Sequence, residues 1–192
     1  CGSVMQRIGW NDEDLKEMME ENIRAIQEQG VEEVVFSCAG CYRMFKEEYP
    51  KFVEVPFEVR HVSELLADMD LNLSPLERKV TYHDPCHLGR HCGVYEPPRE
   101  VLRKIPGMEF KEMSRNRDTS RCCGGGGGVR SAYSELSGQI AAGRMKEGEI
   151  AEIMVTTCPF CVNNLRMGSE RNGDKVEVKD LVELLDGILE ES

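Results

Sequence analysis

Val31-Glu32-Glu33-Val34-Val35-Phe36-Ser37-Cys38-Ala39-Gly40-Cys41 is matched in pattern by Ile150-Ala151-Glu152-Ile153-Met154-Val155-Thr156-Thr157-Cys158-Pro159-Phe160-Cys161. In each copy a short run rich in β-branched residues reads as a strand, and its end delivers a Cys-x-x-Cys pair. The likeness continues downstream, where Glu58-Val59-Arg60-His61-Val62-Ser63-Glu64-Leu65-Leu66 matches Glu177-Val178-Lys179-Asp180-Leu181-Val182-Glu183-Leu184-Leu185. Self-similarity on this scale reads as an internal duplication. Cys1-Gly2 lies almost as far before Cys38 as Cys123-Gly124 lies before Cys158. Cys1 is therefore expected to be the remainder of a first Cys-Cys-Gly, in a first copy that has lost its front half.

Working outward, Asn11 to Gln29 has Leu15, Met18, Met19, Ile23 and Ile26 at helical spacing, Asn11 as N-cap, an acidic first turn and Gly30 past the end. Tyr42 to Tyr49 reads as a helix stopped by Pro50, Val55 to Val62 as a strand, and Ser63 to Asp70 as a short helix before a polar linker ending at Pro75. Beyond the linker, Lys79 to Tyr82 is a strand running into His83-Asp84-Pro85-Cys86-His87, and Pro97-Pro98 opens a helix to about Ile105. Phe110 to Met113, Ile150 to Thr156 and Val176 to Val178 read as strands, and Ala132 to Lys146 and Leu181 to Leu189 as helices. Such alternation implies parallel strands joined by crossover helices, a fold that gathers ligand sites at the carboxyl ends of its strands. The expected fold is α/β: two pseudo-repeated, open, parallel-sheet (Rossmann-like) units, residues 1–74 and 75–192, with cysteines at strand C-terminal ends.

The stretch Arg121-Cys122-Cys123-Gly124-Gly125-Gly126-Gly127-Gly128-Val129-Arg130 sets the chemistry. Five glycines after two thiols bring no side chains to a core and cost conformational entropy to order, so something must hold the loop. If the thiols ligate a metal group, Gly124, Gly125 and Gly126 let backbone N–H groups approach bound sulfur near a following helix N-terminus.

Composition narrows the function. A formal charge of −11 with no Lys/Arg-rich face excludes a phosphate-backbone binder, so no nucleic-acid partner is expected. No apolar run reaches the roughly 20 residues a bilayer span needs, and Cys1-Gly2-Ser3-Val4 does not open a signal peptide. The expected location is cytoplasmic, with peripheral docking on the inner membrane face through a partner left open. Nine cysteines, an odd number in an acidic chain of 192 residues, suit metal binding better than a disulfide framework.

Five of these cysteines, Cys86, Cys122, Cys123, Cys158 and Cys161, fall at three strand ends, with thirty-five residues between the first two and thirty-four between Cys123 and Cys158. A tetrahedral zinc takes four ligands, and consecutive residues rarely both reach one small ion, whereas different iron atoms of a larger cluster could accept them. The adjacent pair thus favours iron–sulfur, with a structural zinc knot as the alternative. A metal-free thiol–disulfide enzyme using Cys158-Pro159-Phe160-Cys161 is a weaker alternative, because it gives the other cysteines no role.

The pattern Cys86, Cys122-Cys123-Gly124, Cys158-Pro159-Phe160-Cys161 closely resembles the cysteine-rich CCG domain. That domain occurs in the B and D subunits of heterodisulfide reductase and in iron–sulfur subunits of anaerobic glycerol-3-phosphate dehydrogenase, glycolate oxidase and L-lactate oxidation systems. The resemblance runs from Cys1 to about Leu189, with only the second motif complete; the first keeps Cys1, Cys38 and Cys41. It implies that the five cysteines of the second motif ligate a non-cubane [4Fe–4S] cluster, at which a disulfide is cleaved in one-electron steps, with a second cluster or a zinc at the incomplete first site. It also implies an electron-donor or acceptor subunit, whether ferredoxin-like, flavoprotein or membrane cytochrome. The alternative role is electron relay, without catalysis, for a flavin-linked respiratory dehydrogenase.

Around these cysteines, His87 is one residue past Cys86, where its imidazole could tune a cluster or give a proton to a departing thiolate. Arg130 is placed to bind an anionic substrate group, with a solvated arginine as the alternative. His83 and Asp84 read as satisfying backbone groups at a strand end, Cys92 as a thiol outside the motif, and His61 as a surface residue.

Overall fold

The computed structural model describes residues 1–173 and 175–190. Two parallel sheets organise it. The smaller pairs β1 (Glu33–Phe36) with β2 (Glu58–His61), and the larger has the order β4-β3-β5-β6, with β3 Lys79–Tyr82, β4 Glu109–Phe110, β5 Ile153–Thr156 and β6 Glu177–Asp180. All four strand pairings are parallel, so every connection crosses over, as the alternation of the sequence requires. The duplication extends to register: Glu33 pairs with Glu58 and Phe36 with His61 in one sheet, Ile153 with Glu177 and Thr156 with Asp180 in the other.

The helices are α1 (Ser3–Arg7), α2 (Asp12–Gln27), α3 (Ala39–Arg43), α4 (Val62–Asp68), α5 (Gly89–Cys92), α6 (Glu96–Arg103), α7 (Val129–Ala132), α8 (Ser134–Gly148), α9 (Pro159–Asn172) and α10 (Leu181–Asp186). Asn11 caps α2, its side chain accepting the Asp14 N–H at 2.9 Å. The helix expected to reach Pro50 instead changes type, from α3 to a π-helical turn over Met44–Glu48 and a 3₁₀ turn over Tyr49–Lys51. Helix α9, not anticipated from the sequence, begins with Pro159 at N1 and ends at Gly173, which is in the left-handed conformation. It crosses α8 so closely that a Cβ on Gly168 would lie 2.6 Å from the Ala141 carbonyl carbon.

One apolar cluster joins the two halves: Leu15, Met19 and Ile23 of α2, with Tyr42, Phe45 and Val59, share it with Met145, Met154 and Leu165. A second lies under the larger sheet, where Val80, Tyr82, Ile153 and Val155 meet Leu102 of α6 and Leu181 and Leu184 of α10.

His61 is not at the surface. It is fully buried, packs edge-on against Tyr42, and caps α4 in a capping box with Glu64. Asp180, its counterpart in the repeat, caps α10 in the same way with Glu183. The duplicated strand end is thus a duplicated cap, a device typically contributing about 1 kcal/mol.

Candidate metal centre

Parallel strands bring their carboxyl ends to one edge, and the cysteines follow. Cys38 and Cys158 stand at the same strand-to-helix turn in the two copies, as N-cap residues of α3 and α9, which place Cys41 and Cys161 one turn on. Cys86 follows β3. Its segment is pinned by Asp84, which takes a two-pronged ion pair from buried Arg99 (2.7 and 2.9 Å) and the backbone N–H of Arg117 (2.8 Å). Asp84 therefore does satisfy a backbone group, but its main partner is a guanidinium. The Tyr82 hydroxyl, 2.8 Å from Thr157 Oγ1, ties the end of β3 to that of β5.

The glycine loop is clamped from beneath. Asn164 Nδ2 donates to the Cys123 carbonyl at 2.6 Å, and Ser137 Oγ lies 2.8 Å from the Gly124 carbonyl and 3.0 Å from Asn164 Oδ1. Gly124, at φ +82°, leaves no room for a side chain: a Cβ would sit 2.9 Å from the Ser137 carbonyl oxygen. Gly125 would meet the Phe160 carbonyl oxygen and Asn164 at 3.0 Å. Here the glycines allow close approach to α8 and α9, while Gly126 and Gly127 form cavity wall. The Gly124 N–H points to Cys122 Sγ at 3.3 Å. No local pattern marks Asn164 or Ser137 as loop anchors, and the sequence reading did not find them.

All eight motif cysteines, Cys1, Cys38, Cys41, Cys86, Cys122, Cys123, Cys158 and Cys161, line one cavity of about 460 Å³. The three cysteines of the first copy and the five of the second share it. Cys1 and Cys41 have their sulfurs 3.1 Å apart, and neighbouring thiols influence one another's protons in a run from Cys41 through Cys38, Cys158, Cys161, Cys123 and Cys122 to Cys86. Neighbouring thiols hydrogen-bond to Cys38 and Cys122 and hold both far below the ordinary thiol range. Once those two are thiolates, the remaining protons are held more tightly, so Cys41, Cys86, Cys123, Cys158 and Cys161 are pushed up. A chain of sulfurs that favours anions but cannot accommodate many unaided is one that a cationic metal group would complete.

The rest of the wall is mostly apolar: Val4, Met5, Ile8 and Trp10 from the N-terminal segment line it together with Phe160. His87 is on this wall, its Nδ1 3.5 Å from where a Gly40 Cβ would stand, and so bridges the second cysteine set to the first Cys-x-x-Cys turn. Burial, then Arg43, Arg7 and His91, push it down to about 4, so the ring is neutral at pH 7. Arg130 is exposed on α7 and is not among the lining residues. Cys92 is also off the cavity, packed against the core. His83 is fully buried, and its Nδ1 accepts from Arg144 Nε at 3.1 Å rather than serving a backbone group. Burial, with Arg144 beside it, pushes His83 down to about 3.

The donor set fits a polynuclear group of the iron–sulfur kind. Eight soft thiol donors in one cavity exceed the four that a tetrahedral ion takes, and a backbone N–H faces the Cys122 sulfur. Among the described residues no helix is long and apolar enough to cross a membrane.

The family model for the CCG cysteine-rich domain matches residues 1–46 and 80–166. The chain is 40% identical, over 96% of its length, to the D subunit of dihydromethanophenazine:CoB–CoM heterodisulfide reductase from Methanosarcina barkeri, covering 48% of that protein. It is 39% identical over 97% of its length to the B subunit of fumarate reductase (CoM/CoB) from Methanothermobacter marburgensis, covering 38% of it. It is also 36% identical over 96% of its length to the probable iron–sulfur-binding oxidoreductase FadF of Bacillus subtilis, covering 27% of it. The chain thus spans about half the length of these relatives or less. With its family model matched on both sides of the linker and every motif cysteine on one cavity, the chain belongs to the CCG cysteine-rich domain family.

Proposed function

We propose that this chain is the cluster-holding part of an iron–sulfur oxidoreductase subunit of heterodisulfide reductase type. Cys86, Cys122, Cys123, Cys158 and Cys161 would hold a [4Fe–4S] cluster of non-cubane kind, and Cys1, Cys38 and Cys41 would present their own metal group or free thiols to the same space. The observation that carries this reading is the meeting of eight thiols on one cavity, more than a structural zinc employs. Relatives named as heterodisulfide reductase and fumarate reductase subunits support it.

A bound cluster supplies one-electron steps, so that a disulfide taking two electrons and two protons leaves as two thiols. The protein's part is to hold and shape the site. The Gly124 N–H stabilises negative charge on Cys122, and Gly126 and Gly127 leave one wall without side chains. Val4, Met5, Ile8, Trp10 and Phe160 exclude water and favour the uncharged part of a sulfur substrate. His87 offers one N–H and one lone pair at the bridge between the two cysteine sets, placed to pass a proton to a leaving sulfur. Arg130, off the wall, serves only a substrate long enough to leave the cavity. Electrons would come from a partner subunit, ferredoxin-like, flavoprotein or membrane cytochrome.

The test is anaerobic analysis of iron, acid-labile sulfide and zinc, with electron paramagnetic resonance of the oxidised protein before and after adding thiol, on the wild type and Cys122→Ala. The expected result is about four iron and four sulfide on the second set, with a thiol-dependent signal lost in the variant. A cluster whose signal ignores thiol would make the chain an electron relay. One zinc without sulfide would make the site structural and end the proposal.

A further inference from the structure

Behind the cysteines, a buried polar line reaches the site through α8. Arg144 on α8 is fully buried: Nη1 donates to the Arg115 carbonyl at 3.0 Å and pairs with Glu147, Nη2 donates to Ser120 Oγ at 3.2 Å, and Nε donates to His83 Nδ1 at 3.1 Å. The other ring nitrogen of His83, Nε2, is buried and has no hydrogen-bond partner among the described residues. The same ring has a nitrogen within 4.8 Å of the sulfurs of Cys123 and Cys161.

A guanidinium N–H donates and never accepts, so an Nδ1 facing Arg144 Nε must offer its lone pair. The ring proton is then on Nε2. Ligation of a metal through Nε2 would strip that proton and leave an imidazolate, so Arg144 turns His83 away from metal ligation and toward donation. A polar hydrogen in a dry site needs an acceptor; among the described residues Nε2 has none, and the ring stands within 4.8 Å of the Cys123 and Cys161 sulfurs, so a sulfur of the group those cysteines hold is the acceptor this position calls for.

We propose that His83 is a fixed-tautomer Nε2–H donor to the sulfur of the group held by Cys123 and Cys161, with Arg144 as the residue that positions it, and that this hydrogen bond raises the group's reduction potential. The proposal rests on the cluster reading above. Adding an electron increases the negative charge on sulfur, so a donor aimed at sulfur stabilises the reduced form more than the oxidised form.

The first measurement is made on the complete chain, metal-free and reduced, with ¹⁵N-labelled histidine. The imidazole shifts of His83 should show the Nε2–H tautomer alone, and Arg144→Met should admit the second tautomer. The second measurement is the midpoint potential of the cluster-loaded wild type, His83→Gln and His83→Leu at equal iron and sulfide content. Leucine should weaken the reduction equilibrium about tenfold, a fall of about 59 mV for one electron, while glutamine, which keeps an N–H donor, should recover most of it.

An Nδ1–H tautomer in the wild type would overturn the proposal, as would a leucine variant with an unmoved potential. Loss of one iron and of a ¹⁴N hyperfine coupling in His83→Leu would show a ligand instead of a donor, and would also overturn it. If the leucine variant does not fold, the wild-type tautomer and the Arg144→Met response decide alone. A chain that binds no iron ends the cluster reading, whereas the tautomer is read without metal and stands or falls separately.

Discussion

Cys38 and Cys158 occupy the same strand-to-helix turn in the two copies of a duplicated unit and line the same cavity, where the Cys158 thiol is the first of the neighbours that lower the Cys38 thiol. The copies thus face each other through their ligand-bearing turns. A thiolate at Cys38 is stabilised by a donor from the other copy, and Cys122 is stabilised similarly by Cys123 and Cys86 within its own set.

Thiol reactivity in the metal-free, reduced chain should reveal this pairing. Cys38 and Cys122 are held far below the usual thiol range and so are thiolates at pH 6, whereas burial pushes Cys92 up to about 12. The thiolate is the nucleophile, so iodoacetamide at pH 6 should label Cys38 and Cys122 well ahead of Cys92, as read by peptide mass spectrometry. Cys158→Ala should slow labelling at Cys38 and leave Cys122 unchanged, because only Cys38 loses a donor.

Much of this was legible in the sequence, because strands, caps and Cys-x-x-Cys turns are local features and the repeat shows which strand ends correspond. Alternation alone implied parallel sheets. Helix α9 was missed because its buried residues, Cys161, Val162, Asn164, Leu165 and Gly168, include polar and glycine positions that break an apolar stripe. Its ends were nonetheless marked by Pro159 and Gly173. The true place of His61 was also within reach: it aligns with Asp180, and each precedes a glutamate by three residues in capping-box spacing. What no local pattern could supply was the merging of two cysteine sets into one cavity, the clamp of Asn164 and Ser137, and the His83–Arg144 contact. Each joins elements far apart in the chain.

The glycine run should tolerate substitution unevenly. Gly124→Ala forces a side chain into a left-handed backbone conformation and against the Ser137 carbonyl, so it should cost about 1–3 kcal/mol in denaturant unfolding and reduce sulfide content. Gly126→Ala meets nothing within 4 Å and should leave the stability of the metal-free chain near the wild-type value. Equal effects at the two positions would show that the loop needs flexibility rather than close approach.

The buried pair of Asp84 and Arg99 makes stability sensitive to the loss of either partner. Arg99 is bonded to Asp84, to Glu112 at 2.6 and 3.1 Å and to the Tyr95 carbonyl at 2.7 Å, and stacks over Tyr82 with its guanidinium carbon 5.0 Å from the ring centre. Removing one partner leaves the other charge incompletely paired in the core, so Asp84→Ala should cost about 3–5 kcal/mol. The double change Asp84→Leu with Arg99→Met removes both charges and should cost less than the sum of its single changes in urea unfolding.

Acid should act through the buried histidines. Burial pushes His61 down to about 4 from the usual 6.5, so below pH 6.5 the unfolded chain takes a proton that the folded chain refuses. The stabilising difference is fully present above pH 6.5 and is lost as pH falls toward 4. His83 and His87, pushed down to about 3 and about 4, act in the same direction. Stability of the metal-free chain should therefore fall on acidification through this window, each histidine adding a slope of at most about 1.4 kcal/mol per pH unit. His61→Asn keeps a capping acceptor without the titration, so urea midpoints between pH 7 and 4.5 should fall less steeply in that variant. Parallel slopes in the two proteins would show that His61 does not titrate in this range, and would place the acid sensitivity on the other buried groups.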